Sequence, residues 1–508
     1  MDPDQIAAPH HHAGLAAFFT AGWLKHLISR TAACSAVVAC FGIAPTHAQL
    51  TPPAAPTVAE APPAADEVVP PWGTTKSYWI PALEIIGFDL LLNQFDRRFI
   101  GGDDFDTSLS SVRRNLRRSW VVDSDTFTIN QLGHPYQGSF YHGAARASGL
   151  NYWEAAAYTF AGSIFWEIAG ETTIPSKNDQ VASGIGGSFL GEPLFRMANL
   201  LLEKGGGPRV WRELGAAAIS PPVGFNRMAF GNRFRGIFPS NSPAYYSRLQ
   251  VGVAGTMQDS PGTSTELKRT EGLVDFSIDY GLPGKPGYTY DRPFDYFHFQ
   301  ATASTANALE SVTTRGLLFG TDYEAGENYR GVWGLYGSFD YLSPQVFRVS
   351  TTAVSLGTTA QWSLPGSLEL QGTALLGAGY AAVGTVNGLD ENDNHYGVAP
   401  QALVSLRLIV GDRASIDLTA REYYVSRVGG AGRDGRDNIA RADAAVTMRV
   451  HKQHAVSLRY LYTRRDATFP GLGERTQTRG MLGIFYTLLG HDRMGAVYWR
   501  RLAAETPQ

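Results

Sequence analysis

The sequence predicts a mainly β fold with an α-helical part: a C-terminal transmembrane antiparallel β-barrel of about 12 strands behind a unit of about three helices. Two observations carry the barrel. From about residue 245 the chain falls into period-two segments with aromatic ends, bounded by Gly, Pro, Asp or Asn, each roughly the ten residues that a tilted strand needs to cross a membrane. The separators also alternate in length. "LPGS", "VGDRA", "HKQH" and "LGHD" are tight, whereas "NGLDENDNH", "GGAGRDGRDN" and "DATFPGLGERTQT" are long and polar. Short turns on one rim and long loops on the other are how membrane barrels are built. A third observation, helical character up to about residue 240, supplies the second part.

In chain order, residues 1–48 read as a signal peptide. Lys25 and Arg30 precede the apolar "TAACSAVVACFGIAPTHAQ", and "THA" is a cleavage site ending at Ala48. The only two cysteines, Cys34 and Cys40, fall in this segment, so a mature chain starting at Gln49 has no disulfide. The rival reading is lipoprotein processing at "VVAC", with Cys40 acylated. Residues 49–72, "QLTPPAAPTVAEAPPAADEVVPPW", form a Pro- and Ala-rich disordered linker. Charged residues are only 18% and the formal charge is -3, so nothing provides a basic footprint for nucleic acid.

The helical unit spans residues 73–240. "PALEIIGFDLLLNQFDRRFI" fits a helix or an opening strand. Helices are expected near 135–148, 151–170 and 178–203. The second is apolar nearly all round, which predicts burial. In the third, Ser183, Gly187 and Gly191 lie four apart and leave one face as bare backbone for close helix packing.

The barrel spans residues 241–508. Thirteen segments read as strands, from "RLQVGVAGT" to "GAVYWRRL". Barrels prefer even numbers, so about twelve are expected. Tyr498 or Trp499 would be the aromatic that ends the last strand. A soluble β-sandwich gives similar spacing without a reason for aromatic ends or alternating loop lengths.

The motifs "FDLLLNQFDRRF", "DTFTINQLGHPYQGSFYHGAAR", "GSIFWEIAGE", "PSKNDQ", "GGSFLGE", "RVWRELG" and "PPVGFNR" resemble a bacterial family catalogued as domain of unknown function 3943, over about residues 80–230. The resemblance implies an envelope protein and names no catalytic residue.

Candidate chemistry lies in the same stretch: His134, Tyr136, His142, Arg146, Glu167, Glu171, Ser176, Asn178, Asp179 and Glu192. His142 and Arg146 share a helix face, and so do Glu167 and Glu171 if their helix is regular. Apposed helices would then pair Arg146 with Glu167 and His142 with Glu171, a structural network that includes Glu192. Ser176 or Asn178 caps the third helix, with Pro175 marking its start. A metal reading would use His134, His142, Glu167 and Glu171, but no HExxH spacing supports it, and neither a metal nor another cofactor is expected. A hydrolytic reading would use Ser139 or Ser176 with His142, but neither serine sits in a GxSxG elbow. "DENDNH", Asp390 to His395, reads as a solvated loop before a calcium site.

The expected protein is an outer-membrane barrel with its helical unit inside the barrel or at its periplasmic mouth. It would serve a structural, transport or envelope-maintenance role with outer-membrane lipid as its partner. The second reading is a membrane-embedded enzyme that modifies lipid or lipopolysaccharide through the polar cluster of residues 134–192.

Overall fold

A computed structural model describes residues 70–101, 103–123, 125–259, 266–344, 347–384, 394–427, 435–469, 473–491 and 494–499. The expected signal peptide, most of the linker, both cysteines and residues 390–393 of the acidic loop lie outside the described residues.

Twelve antiparallel strands close into a barrel. They are β1 (Tyr245–Asp259), β2 (Glu266–Tyr280), β3 (Phe297–Ser304), β4 (Ser311–Ala325), β5 (Tyr329–Leu342), β6 (Arg348–Leu364), β7 (Leu368–Gly384), β8 (His395–Val410), β9 (Ala414–Arg427), β10 (Arg436–His451), β11 (His454–Phe469) and β12 (Gly473–Leu489). β1 pairs with β12, with Arg248 opposite Leu489, so the sheet has no free edge. The turns after β4, β6, β8 and β10 are two or three residues long and share the rim where β1 begins and β12 ends. The thirteenth predicted strand does not form over its described residues, 495–499. Residues 494–499 turn back into the barrel mouth at that rim. There Gln361 Nε2 donates to the Val497 carbonyl at 2.7 Å and Gln371 Nε2 to the Gly495 carbonyl at 2.8 Å. Trp499 Nε1 donates to the Glu327 carbonyl at 3.0 Å, so this aromatic braces the mouth and does not end a strand.

Ion pairs that cross the barrel identify the inner face. Arg407 of β8 reaches Asp279 of β2 at 3.2 Å and Asp417 of β9 at 2.6 Å. Arg459 of β11 meets Asp275 of β2 at 3.1 Å, and Arg479 of β12 meets Glu310 at 2.5 Å. Arg421 pairs with Asp340. These side chains leave a cavity of about 90 Å³ around Arg248, His298, Arg315 and Tyr423. The interior is polar and largely bridged. The opposite parity points outward and is apolar: Val456, Leu458 and Tyr460 on β11, and Leu482, Ile484 and Tyr486 on β12, are exposed. An apolar exterior over a charged interior inverts the pattern of a water-soluble protein.

The helices longer than one turn are α1 (Trp79–Phe99), α2 (Leu109–Asn115), α3 (His134–Ala147), α4 (Tyr152–Phe165), α5 (Gly187–Lys204), α6 (Arg209–Ile219) and α7 (Pro221–Ala229), and a single turn spans Lys177–Asp179. π-helical turns precede α3 (Ile129–Gly133), extend α4 (Trp166–Gly170) and precede α5 (Gln180–Gly186). The sequence left residues 81–100 open between helix and strand, and they form α1. It missed α2, α6 and α7, which are short. No helix among the described residues is long and apolar enough to cross a membrane.

The helices lie neither inside the barrel nor below its mouth; they pack on its outer wall. On β2, Asp275 and Asp279 face the lumen, so Ile278 and Tyr280 face out. Both are buried with Phe189, Leu190, Met197 and Leu200 of α5 in one apolar cluster. Phe297, Phe299, Phe339, Tyr341 and Tyr396, all outward by the strand register, join the same cluster. Gly337 of β5 makes room for this contact, since a Cβ there would lie 2.6 Å from the Phe189 ring. The helical unit and the barrel therefore share one core, because the largest cluster belongs to both. α4 also departs from the predicted burial. Trp153, Phe160 and Ile164 are exposed, and the Trp153 ring stacks on outward-facing Phe319 with centroids 5.1 Å apart. A helix apolar all round is accommodated when one face meets protein and the other an apolar solvent.

Candidate functional site

α3 and α5 form the backbone of the helical unit. A Cβ on Gly187 would lie 2.6 Å from Gly138 Cα, and one on Gly191 would lie 2.9 Å from His142 Cβ. Gly138 in turn faces the Ser183 backbone. The small-residue face read from the sequence thus meets a second glycine on α3, and the two backbones touch. Polar side chains from both helices are brought into close register and separate into two clusters.

The first cluster is charge-balanced. Glu192 lies at its centre and is fully buried. Arg146 Nε donates to Glu192 Oε2 at 2.7 Å, Arg196 Nε donates to Oε1 at 2.8 Å, and His142 Nε2 lies 3.0 Å from Oε2. Arg196 continues to Asp295 of the β2–β3 connection at 2.9 Å, which ties the helices to the barrel. Arg146 also lies over the rings of Trp72, Phe195 and Phe238. The pairings expected from spacing, Arg146 with Glu167 and His142 with Glu171, do not form. Glu167 and Glu171 sit at the far end of α4, whereas His142 and Arg146 lie nearer the end of α3 that meets α4. With His142 held by Glu192, the serine–histidine pair of the hydrolytic reading does not form either. Ser139 Oγ donates to the Tyr136 carbonyl at 2.6 Å.

The second cluster is acidic. It gathers His134, Glu167 and Asp179, exposed by only 2%, 3% and 2%, with ligand-capable atoms all within 4.8 Å of one another. His134 Nε2 lies 3.5 Å from Asp179 Oδ2. Glu167 and Glu171 do not share a helix face, because the π-helical turn carries Glu167 inward and Glu171 begins the extended connection. Glu171 accepts from Trp166 Nε1 at 2.5 Å and from Thr173 Oγ1 at 2.8 Å. Burial pushes the Glu171 carboxyl up to about 7 against those two donors.

Residues 121–123 and Asp125 cover this cluster, and the sequence reading missed them. Val121 bridges Ser176 as a short parallel contact. This sets Asp123 against Asn178, whose Nδ2 donates to Asp123 Oδ1 at 2.8 Å. Asn130 Nδ2 donates to the same oxygen at 2.7 Å and to the Tyr396 hydroxyl on the barrel wall at 2.8 Å. Burial raises the Asp125 carboxyl well above its usual range, and neighbouring Asp123 adds to the effect. Ser176 performs the capping role that the sequence offered to it or Asn178. Its Oγ accepts from Asp179 N at 3.3 Å and donates to Asn178 Oδ1 at 2.8 Å. Its own N donates to Glu167 Oε2 at 2.7 Å. Asp123 and Asp125 have no periodic pattern around them, so only the tertiary fold reveals them.

A closed 12-stranded barrel carrying a helical unit with two buried polar clusters is the class of molecule these features define. Residues 119–222 match the family described as Domain of unknown function (DUF3943), the family the motifs resemble, over a narrower stretch than 80–230. That segment holds both clusters except Asp295. No curated protein matches the chain. Solved barrels with related architecture include an outer membrane channel from Pseudomonas putida F1, 11% identical at a TM-score of 0.27, covering 49% of this chain and 96% of its own. The translocator domain of autotransporter NalP from Neisseria meningitidis is 15% identical at 0.23, covering 48% and 89%. The NanC porin is 9% identical at 0.24, covering 46% and 98%. At such values nothing about activity or cargo passes from them to this chain.

Proposed function

We propose that this protein is an outer-membrane β-barrel that anchors a lipid-facing helical unit on its outer wall, with a structural or envelope-maintenance role and not that of a diffusion pore. The observation that carries the reading is the division between the two faces of the wall. The inner face is bridged by Arg407, Arg459 and Arg479 to Asp279, Asp275 and Glu271 of β2, and residues 494–499 occupy one mouth. The outer face holds the helices. Leu83, Leu90 and Leu91 on α1, and Phe160 and Ile164 on α4, are exposed, as are the outward apolar side chains of β9–β12. Hydrocarbon stabilises such a surface, whereas water would drive it to associate.

An apolar groove of about 150 Å³ runs along the seam between α5 and the wall, lined by Met197, Leu200, Leu249, Phe276 and Leu488. Its largely apolar lining favours lipid as the partner. Purified protein in planar bilayers tests the pore question. The expected result is the absence of steady single-channel conductance; a stable open level like that of a water-filled barrel would overturn the reading. Recovery of the protein with soluble periplasmic proteins would overturn the membrane placement itself.

A further inference from the structure

We infer that His134, Glu167 and Asp179 form a binding site for a divalent transition ion of the zinc or manganese type, which joins three helical segments at the end of the unit farthest from the α3–α4 turn.

The charge balance separates this cluster from its neighbour. Glu192 is buried among two arginines and a histidine. Glu167 and Asp179 are buried as deeply, and no arginine or lysine pairs with either of them, or with adjacent Asp123, among the described residues. Burying two carboxylates without a cation is costly, and a third close by compounds the cost. A bound divalent ion removes that cost.

The donor set fits such an ion. An imidazole with two carboxylates suits borderline metals, whereas calcium prefers oxygen ligands throughout. His134 Nε2 and Asp179 Oδ2 are 3.5 Å apart. That exceeds a hydrogen bond, but it is about the separation of two ligands each roughly 2.1 Å from a tetrahedral metal. Surrounding groups hold the carboxylates in place: Ser176 N donates to Glu167 Oε2 at 2.7 Å, and Asn178 Nδ2 donates to Asp179 Oδ1 at 3.1 Å. Such outer contacts orient ligands in metal sites. Three protein ligands leave a coordination position open.

The backbone adds an independent observation. His134 follows the first π-helical turn, Glu167 lies within the second, and Asp179 precedes the third. π-helical turns are rare and concentrate at functional sites. Here three converge on one cluster, and Glu167 lies within one of them.

Full-length protein, stripped with chelator and dialysed against Zn²⁺ or Mn²⁺, provides the test. Wild type should retain about one ion per chain by elemental analysis, and Asp179→Asn should bind at least 10–100-fold more weakly. Glu171→Gln should retain the metal, since Glu171 bonds Trp166 and Thr173 instead. A second readout keeps the test independent of folding defects. Metal-free Asp179→Asn should melt at or above the temperature of metal-free wild type, because it removes an uncompensated charge, and added zinc or manganese should raise the melting temperature of wild type alone. If wild type retains no more metal than Asp179→Asn, the site does not exist. If Glu171→Gln loses the ion while Asp179→Asn keeps it, the ligand set is wrong. If metal-free Asp179→Asn melts well below metal-free wild type, the cluster is an ordinary hydrogen-bonded network.

Discussion

Arg146 grips Glu192 through two nitrogens, with Nε donating to Oε2 at 2.7 Å and Nη2 to Oε1 at 3.1 Å, in a place where neither residue meets solvent. This bidentate pair holds α3 to α5 beside their glycine contact. Removing one member of a buried pair strands the other and costs about 3–5 kcal/mol. Arg146→Met is therefore expected to lower stability far more than a change at exposed Arg117. Thermal melts of both variants in detergent check this; equal melting temperatures would refute the pairing as a stabilising element.

The glycine contact makes a separate prediction. A Cβ on Gly187 would meet the Gly138 backbone, which cannot rotate away. Overpacking costs about 1–3 kcal/mol where neighbours can shift, and more where they cannot. Gly187→Leu should lose the helical circular-dichroism signal or fail to fold, whereas Gly87→Leu on α1, where a Cβ would meet nothing within 4 Å, should do so to a much smaller extent. Unchanged helix content in Gly187→Leu would contradict the geometry.

Because Phe189 is buried against the outer wall of the barrel, helix and sheet should unfold together. Truncating a buried aromatic costs about 3–5 kcal/mol. Phe189→Ala should lower the melting temperature followed by helix and by sheet signals to the same extent. Two separate transitions in wild type would mean that the cores are independent after all.

Lipid exposure of the helical unit is open to chemical labelling. Leu91 is 73% exposed on α1. With Cys34 and Cys40 removed, a Leu91→Cys variant in liposomes should react with a lipid-soluble maleimide and resist a water-soluble one. Rapid reaction with the water-soluble reagent would place α1 outside the bilayer.

Much of the architecture was legible in sequence because strands that separate two solvents alternate strictly: β11 and β12 each change face at every residue for most of their length. α3, α4 and α5 were legible for a related reason, since apolar and small residues recur at helical spacing. The thirteenth segment misled because "GAVYWRR" has strand composition, but twelve strands already close the barrel and no edge remains for it. The location of the helices was hidden, because a residue such as Tyr280 or Phe339 reads as lipid-facing whether lipid or α5 covers it. The site was half legible. His134, Glu167 and Asp179 stood among the candidates, but π-helical turns break the four-residue spacing that assigned their partners. Asp123 joins them only through the Val121–Ser176 bridge.

Docking on the outer wall also sets an order of events in folding. Asn130 must find Tyr396, 266 residues later in the chain, and Arg196 must find Asp295. Contacts so distant in sequence are slow to form. The helices are made first, yet the surface that buries Phe189 and Leu190 exists only after β2 through β8 have paired. Until then those side chains remain exposed and prone to aggregation. The conversion of this chain from nascent to native therefore has its bottleneck at assembly of the wall, and any helper acting on the unfinished protein would need to shield α5 before it attends to the strands.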